Sequence, residues 1–190
     1  MHRTILSWFI IITMPLLTLL AGTFLFAYDA RFYTQQLSAV SLADKGLLIE
    51  NTVHFLQGEE QLLFFSPRER EHLADVRGLL DSLFALFIIL LVVDIAFFLI
   101  VRDSRHLLWI GGIAGLLGTG IIALLAAPFS WFFTAFHGLF FAPGSWVFPA
   151  DSALVQLFPS WFFQAALAHI LAASAFMGIM LLLFSRWFRR

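Results

Sequence analysis

No cysteine occurs in the 190 residues, and only 12% of them are charged. The first absence excludes disulfides, thiol nucleophiles and iron–sulfur clusters. The second, set beside 61% hydrophobic residues and a mean hydropathy of +0.93, excludes an ordinary soluble domain. The net charge is −1 and no basic stripe exists, so no nucleic-acid partner is expected. Between residues 128 and 160 there is no Lys or Arg at all. Neither a metal nor a cofactor is expected.

What the chain does contain is helix-length apolar sequence. Crossing the hydrocarbon takes about 20 mostly apolar residues in helix, and four stretches qualify: 5–27, 79–101, 107–127 and 161–184. The expected fold class is therefore an all-α integral membrane protein with four transmembrane helices. It is read as a single membrane domain over 1–190, with segments 28–78 and 128–160 packing at the outer membrane surface. The first stretch reads as a retained signal anchor, because it exceeds a usual h-region and no A-x-A-like site follows "FLFAYDARFY". Arg3, Arg102, Arg105, Arg186, Arg189 and Arg190 all flank the spans on one side. The opposite side holds the two long segments, of which 28–78 has five basic and eight acidic residues. The positive-inside rule then places both termini in the cytoplasm.

Within the first long segment, Leu47, Leu48, Thr52, Phe55 and Leu56 fall at helical spacing before Gly58. They predict a short amphipathic helix near the interface. The stretch "SPREREHLADVRG" then gathers six charged residues and a histidine in thirteen positions. Ser66 suits an N-cap, Pro67 the first helical position, and Glu69 a capping box. Little interrupts the helix between there and Val101, so the second membrane helix is expected to project from the bilayer, with His72 at headgroup depth. Gly111, Gly112, Gly115, Gly118 and Gly120 in the third span read as close-packing positions. Segment 128–160 is too broken by Pro128, Pro143, Pro149 and Pro159 to span. It reads as surface or re-entrant helices rich in Phe and Trp.

The polar residues leave alternatives. His72 is either a solvated histidine on a charged turn or a general base whose tautomer Asp75, three residues on, would fix. His137 has no charged residue within thirteen positions on either side. It is either a structural histidine bonded to a backbone carbonyl or a functional group, because an ionisable residue in such surroundings is costly unless paired or used. Asp94 and His169 lie within spans and read either as a proton path or as a buried polar pair that sets helix register. Asp151 suits the N-cap of a short interfacial helix, and Trp146 an interfacial anchor. His54 and His106 read as surface residues.

"REREHLADVRGLLD" and, some sixty residues later, "FHGLFFAPGSWVFPADSALVQLFPSWFF" together resemble the lipoprotein intramolecular transacylase (Lit) family. Glu69, His72, Asp75, Val76 and Arg77 fit the first family element. His137, Phe141, Trp146, Phe148, Asp151, Pro159, Phe162 and Phe163 fit the second. Leu73, Arg77 and the proline spacing of "VFPAD" depart from the usual pattern, and no histidine is lost. The resemblance implies an acyltransferase of the bacterial inner membrane, working at its extracytoplasmic face. It would move the sn-2 acyl chain of a diacylglyceryl-cysteine lipoprotein to the cysteine α-amine and leave the lyso-form. It further implies His72 and His137 as catalytic residues, with Glu69, Asp75, Arg77, Trp146 and Asp151 supporting them or binding substrate. The partners would be diacylglyceryl-modified lipoproteins and membrane lipid, met by a monomer. In that expectation His72, oriented by Asp75, takes the amine proton, while His137 donates to the departing oxygen or stabilises the oxyanion. Arg77 is an oxyanion or headgroup partner. Other readings are a non-catalytic lipid- or lipoprotein-binding scaffold, a bis-histidine haem protein and a transporter.

Overall fold

The structure, a computed structural model, describes residues 2–59, 61–100 and 104–187, with side chains from residue 5 onward except at Ser104. Arg102, Arg189, Arg190 and the Arg3 side chain, which carry much of the orientation argument, lie outside the described residues. In chain order the helices are α1 (His2–Phe26), α2 (Ala30–Gln36), α3 (Lys45–Gln57) and α4 (Pro67–Ile100). They continue with α5 (Ser104–Ala126), α6 (Phe129–Phe140), α7 (Ala153–Leu157) and α8 (Ser160–Trp187). A 3₁₀ turn occupies Leu37–Ala39, and no strand occurs among the described residues.

α1, α4, α5 and α8 are each long and apolar enough to cross a membrane, as the hydropathy implied. At 34 residues, α4 is roughly 50 Å long against a hydrocarbon core of about 30 Å. Its charged first three turns, through Gly78, are thus read as lying outside the membrane, with the crossing beginning at Leu79.

One compact unit comprises Met1–Phe24, Leu83–Ala127 and His169–Arg190. Here the glycines of α5 permit close contact, as their spacing predicts. A Cβ on Gly112 would lie 2.8 Å from the Leu182 side chain and 2.9 Å from the Gly178 carbonyl oxygen, and one on Gly118 would strike Pro15. Gly120 has no neighbour within 4 Å and contributes no such contact. Buried hydroxyls tie three helices together: Ser174 meets Thr119 at 2.8 Å and Thr18 at 3.0 Å. Asp94 does not form the pair expected with His169. It is 2% exposed and accepts from Thr13 at 3.1 Å, joining α4 to α1, whereas His169 is exposed. Helical spacing places a residue on a face but does not say which neighbouring helix that face meets.

The other unit comprises Leu25–Ser82 and Pro128–Ala168. Its core gathers Phe32, Leu37, Val53, Leu73, Leu157 and Phe162 around α3, each such large apolar side chain contributing about 1.5–3 kcal/mol by burial. α3 ends at Gly58, whose φ of +96° is the left-handed C-cap that glycine adopts without steric cost. Its buried face carries Leu48, Ile49, Val53 and Leu56, while Leu47, assigned to that face by spacing, is 53% exposed. α2 has no counterpart in the sequence reading; Asp29 caps it by accepting from the Arg31 N–H at 2.9 Å. Lys45 donates to the carbonyls of Leu37, Ser38 and Val40, closing the turn ahead of α3. Segment 128–160 contains α6 and α7, with Trp131 and Leu139 of α6 at 60% and 76% exposure.

Candidate active site

The start of α4 forms as the sequence indicates. The Glu69 carboxylate accepts from the Ser66 N–H at 2.8 Å, and the Ser66 hydroxyl accepts from the Glu69 N–H at 3.4 Å. This reciprocal box satisfies donors that a helix start would otherwise strand. Glu69 also accepts from the Leu154 N–H of α7 at 2.8 Å, so one carboxylate ties together two helix starts distant in sequence. Its burial would raise the carboxyl pKa, but the bonds from Leu154 and Ser66 outweigh it and hold the group below the usual carboxylate value.

One turn further along, His72 is 7% exposed, and His137, in the last turn of α6, is 9% exposed. The two imidazoles stack with centroids 6.1 Å apart and planes 29° apart. Aromatic rings enclose them. Phe141 lies 5.0 Å from His72 and 5.4 Å from His137, Phe148 is 5.5 Å from His72, and Trp146 is 4.8 Å from His137. Burial, then the charge of His137, push the His72 pKa down to about 4, and Asp75 opposes this only in part. Burial also lowers His137, against the effect of its bond to Phe133. Both rings are therefore neutral at pH 7.

The His137 Nδ1 lies 2.8 Å from the carbonyl oxygen of Phe133. A carbonyl only accepts, so Nδ1 carries the proton and Nε2 the lone pair. The backbone contact of the structural alternative and the ring pairing of the functional one thus coexist in this residue. His72 differs: its Nδ1 is buried without a hydrogen-bond partner among the described residues. Asp75 does not orient it as expected. The spacing puts both on one side of α4, but the imidazole sits in the aromatic cage while the carboxylate is exposed and acts only through space.

The other expected site residues are distributed unevenly. Trp146 packs on His137 and is half-buried, a closer association than an interfacial anchor requires. Arg77 lies over the Phe55 ring at 5.3 Å and faces Asp81 at 3.9 Å, so its recorded partners are not the histidines. Asp151 is exposed and does not cap α7. Ser152 does so, accepting from the Val155 N–H at 3.3 Å. Sequence reasoning missed Arg68, which donates to the Gly144 carbonyl at 2.6 Å and lies 5.3 Å above Phe148. It thereby holds the loop after α6 beside the site, and nothing in its local sequence signals this. Among the described residues, no three His or acidic side chains converge as metal ligands.

A stacked, neutral histidine pair with one fixed tautomer, enclosed by aromatic rings, can accept and return a proton while excluding bulk water. No curated protein sequence matches the chain. Three solved structures of the membrane integral lipoprotein intramolecular transacylase Lit from Bacillus cereus do match. One has a TM-score of 0.86 at 17% identity, over 98% of this chain and 95% of that one. A variant of that protein with a histidine replaced by arginine gives 0.79 at 18% identity, over 98% and 91%. One with a histidine replaced by alanine gives 0.77 at 17% identity, over 98% and 93%. At such identities these matches establish the four-span fold. The family model of the lipoprotein intramolecular transacylases matches residues 3–163, and with most of its length so matched the chain belongs to the Lit family.

Proposed function

We propose that this protein moves the sn-2 acyl chain of a diacylglyceryl-cysteine lipoprotein onto the cysteine's own α-amine. The observation that carries the reading is the buried histidine pair, its rings 6.1 Å apart in an aromatic enclosure. Nucleophile and electrophile both belong to the substrate, so the protein needs neither thiol nor activated hydroxyl. Holding amine and ester together accounts for much of the rate. The amine nitrogen bonds to the acyl carbon, the ester bond to the sn-2 glyceryl oxygen breaks, and the amine proton ends on that oxygen.

The geometry favours a division of labour opposite to the one expected from sequence. With its Nδ1–H donated to Phe133, His137 presents the Nε2 lone pair as the acceptor of the amine proton. Buried donors are left unpaired less readily than acceptors, so the orphan His72 Nδ1 is assigned the lone pair. Its Nε2–H then donates to the carbonyl oxygen as charge develops there. Both termini are assigned to the cytoplasm and the histidines to the opposite face, where mature lipoprotein N-termini lie.

The test is mass spectrometry of lipoprotein N-terminal peptides from a bacterium that normally makes diacyl or triacyl forms, expressing this protein. The N-acyl, S-monoacylglyceryl form should appear with the unaltered chain and vanish with His72→Ala and with His137→Ala. Its persistence in both variants would exclude histidine catalysis. Its absence with the unaltered, membrane-inserted chain would favour a binding protein.

A further inference from the structure

The two imidazoles that the reaction needs are 7% and 9% exposed, too little surface for an amine and an ester to reach both at once. Some covering element must therefore move. The start of α4 is held in place, because Glu69 accepts from Ser66 and from the start of α7. α6 is held by its own ladder, which extends to the Phe141 N–H donating to the His137 carbonyl at 2.9 Å. The remaining cover is Trp146 against His137 and Phe148 against His72. Both belong to 142–150, a run of turns and irregular backbone with Pro143 near one end and Pro149 near the other. Its internal support is slight: the Ser145 N–H and hydroxyl both donate to the Ala142 carbonyl, at 3.1 and 2.9 Å. Among the described residues, one hydrogen bond joins it to a distant element, the 2.6 Å bond from Arg68 to the Gly144 carbonyl. Gly144 has a φ of +81°, a left-handed conformation open to glycine, so the turn that presents this carbonyl depends on that residue. The same guanidinium lies over the Phe148 ring.

We infer that 142–150 is a lid over the histidine pair and that Arg68 is the latch that keeps it closed. The purpose of the lid rests on the transacylase reading, whereas its opening is measurable without substrate. The latch is built to be released: Arg68 is exposed, its partner is a neutral carbonyl, and water competes for both. Losing the bond and the ring contact together shifts the balance toward the open lid by about tenfold. When the lid opens, Trp146 and Phe148 leave the imidazoles and substrate can enter; closure then shuts out water while the acyl chain moves. Water is the competitor of the amine. Its attack on the acyl carbon would break the same ester bond, releasing a free fatty acid and leaving the amine unacylated. Arg68 is accordingly a positioning residue, acting through Trp146 and Phe148 to favour transfer over hydrolysis.

The experiment uses the full chain in lipid nanodiscs. Diethyl pyrocarbonate, which modifies neutral imidazoles, reports lid opening when each histidine is followed by mass spectrometry, with the exposed His106 as internal reference. In the unaltered protein His72 and His137 should be labelled far more slowly than His106. Arg68→Ala should speed the labelling of both by about tenfold, and Arg68→Lys by less, with the melting temperature and the His106 rate unchanged. On a synthetic diacylglyceryl-cysteine lipopeptide, Arg68→Ala should lower the yield of N-acyl product while raising released fatty acid, a split that lost stability alone would not give. Because the chain has no cysteine, Arg68→Cys combined with Ser145→Cys creates a single thiol pair that a bis-thiosulfonate reagent can bridge. The bridged protein should resist labelling and turnover until reductant releases it. Unchanged histidine labelling in Arg68→Ala, or full labelling and turnover in the bridged protein, would overturn the lid while leaving the transacylase reading intact. Latch-dependent labelling with no N-acyl product from the unaltered protein would instead uphold the lid and remove the reaction.

Discussion

Replacing Glu69 by glutamine should loosen α7 from the helix that carries His72. The native side chain belongs to a residue 4% exposed, and both its oxygens accept, from Leu154 N–H and Ser66 N–H, each at 2.8 Å. Glutamine has one acceptor and one donor group. Whichever way it turns, its NH₂ faces a backbone N–H. The loss of a charge-assisted bond costs about 1.5–3 kcal/mol, and a buried donor left unsatisfied about 1–3 kcal/mol. Part of this is offset because a neutral amide is easier to bury than a carboxylate. The balance is about 3 kcal/mol, a shift of roughly a hundredfold in the docking of α7. Hydrogen–deuterium exchange read by mass spectrometry reports that equilibrium directly. Protection of the peptide covering residues 152–158 should fall by about two orders of magnitude, with α5 unaffected. An exchange rate within threefold of the unaltered protein's would refute the reasoning, because the carboxylate would then not be what holds α7.

Acid should destabilise the protein in two overlapping windows. With its pKa lowered to about 4, His72 binds fewer protons folded than unfolded, so its contribution is fully present above about 6.5 and lost as pH falls toward 4. Glu69, also depressed, contributes above the ordinary carboxylate value and loses that contribution as pH falls through its lower folded pKa. A melting-temperature scan should decline from pH 6.5 downward, and His72→Gln should flatten the upper part; an identical decline in that variant would contradict the burial argument. In the spans, Gly112→Val should lower the melting temperature by several degrees, because its Cβ would sit 2.8 Å from Leu182 and 2.9 Å from the Gly178 oxygen. Gly120→Ala, with nothing within 4 Å, should not; equal melting of the two would remove close packing as the reason for glycine in α5.

The four spans and the start of α4 were legible in the sequence because both are local properties. An apolar run of helix length has few alternatives, and a capping box is closed within four residues. The histidine pair was legible in part, as two polar residues in surroundings that make them costly. Their roles were not, because a tautomer depends on which atom stands opposite Nδ1. For His137 that atom is the Phe133 oxygen, and for His72 the expected Asp75 is absent from the position. Asp94 shows the same limit: its partner Thr13 lies 81 residues away on another span. α2 escaped notice because seven residues with little apolar periodicity carry almost no signal beyond the Asp29 cap. Ser152 displaced Asp151 as the cap of α7 by a single position, a distinction set by backbone geometry.

The bond from His137 to the carbonyl four residues earlier in its own helix changes what mutation can do to this site. In a Ser-His-Asp arrangement the imidazole is oriented by a carboxylate, which a single codon change can delete. Here the orienting atom belongs to the main chain and survives every substitution that keeps α6 helical. The orientation of the imidazole is thereby inherited from secondary structure. The hydrogen bond that orients His137 therefore calls on no side chain but its own. Drift in the sequence of α6 can alter the walls of the enclosure while leaving the direction of its lone pair unchanged.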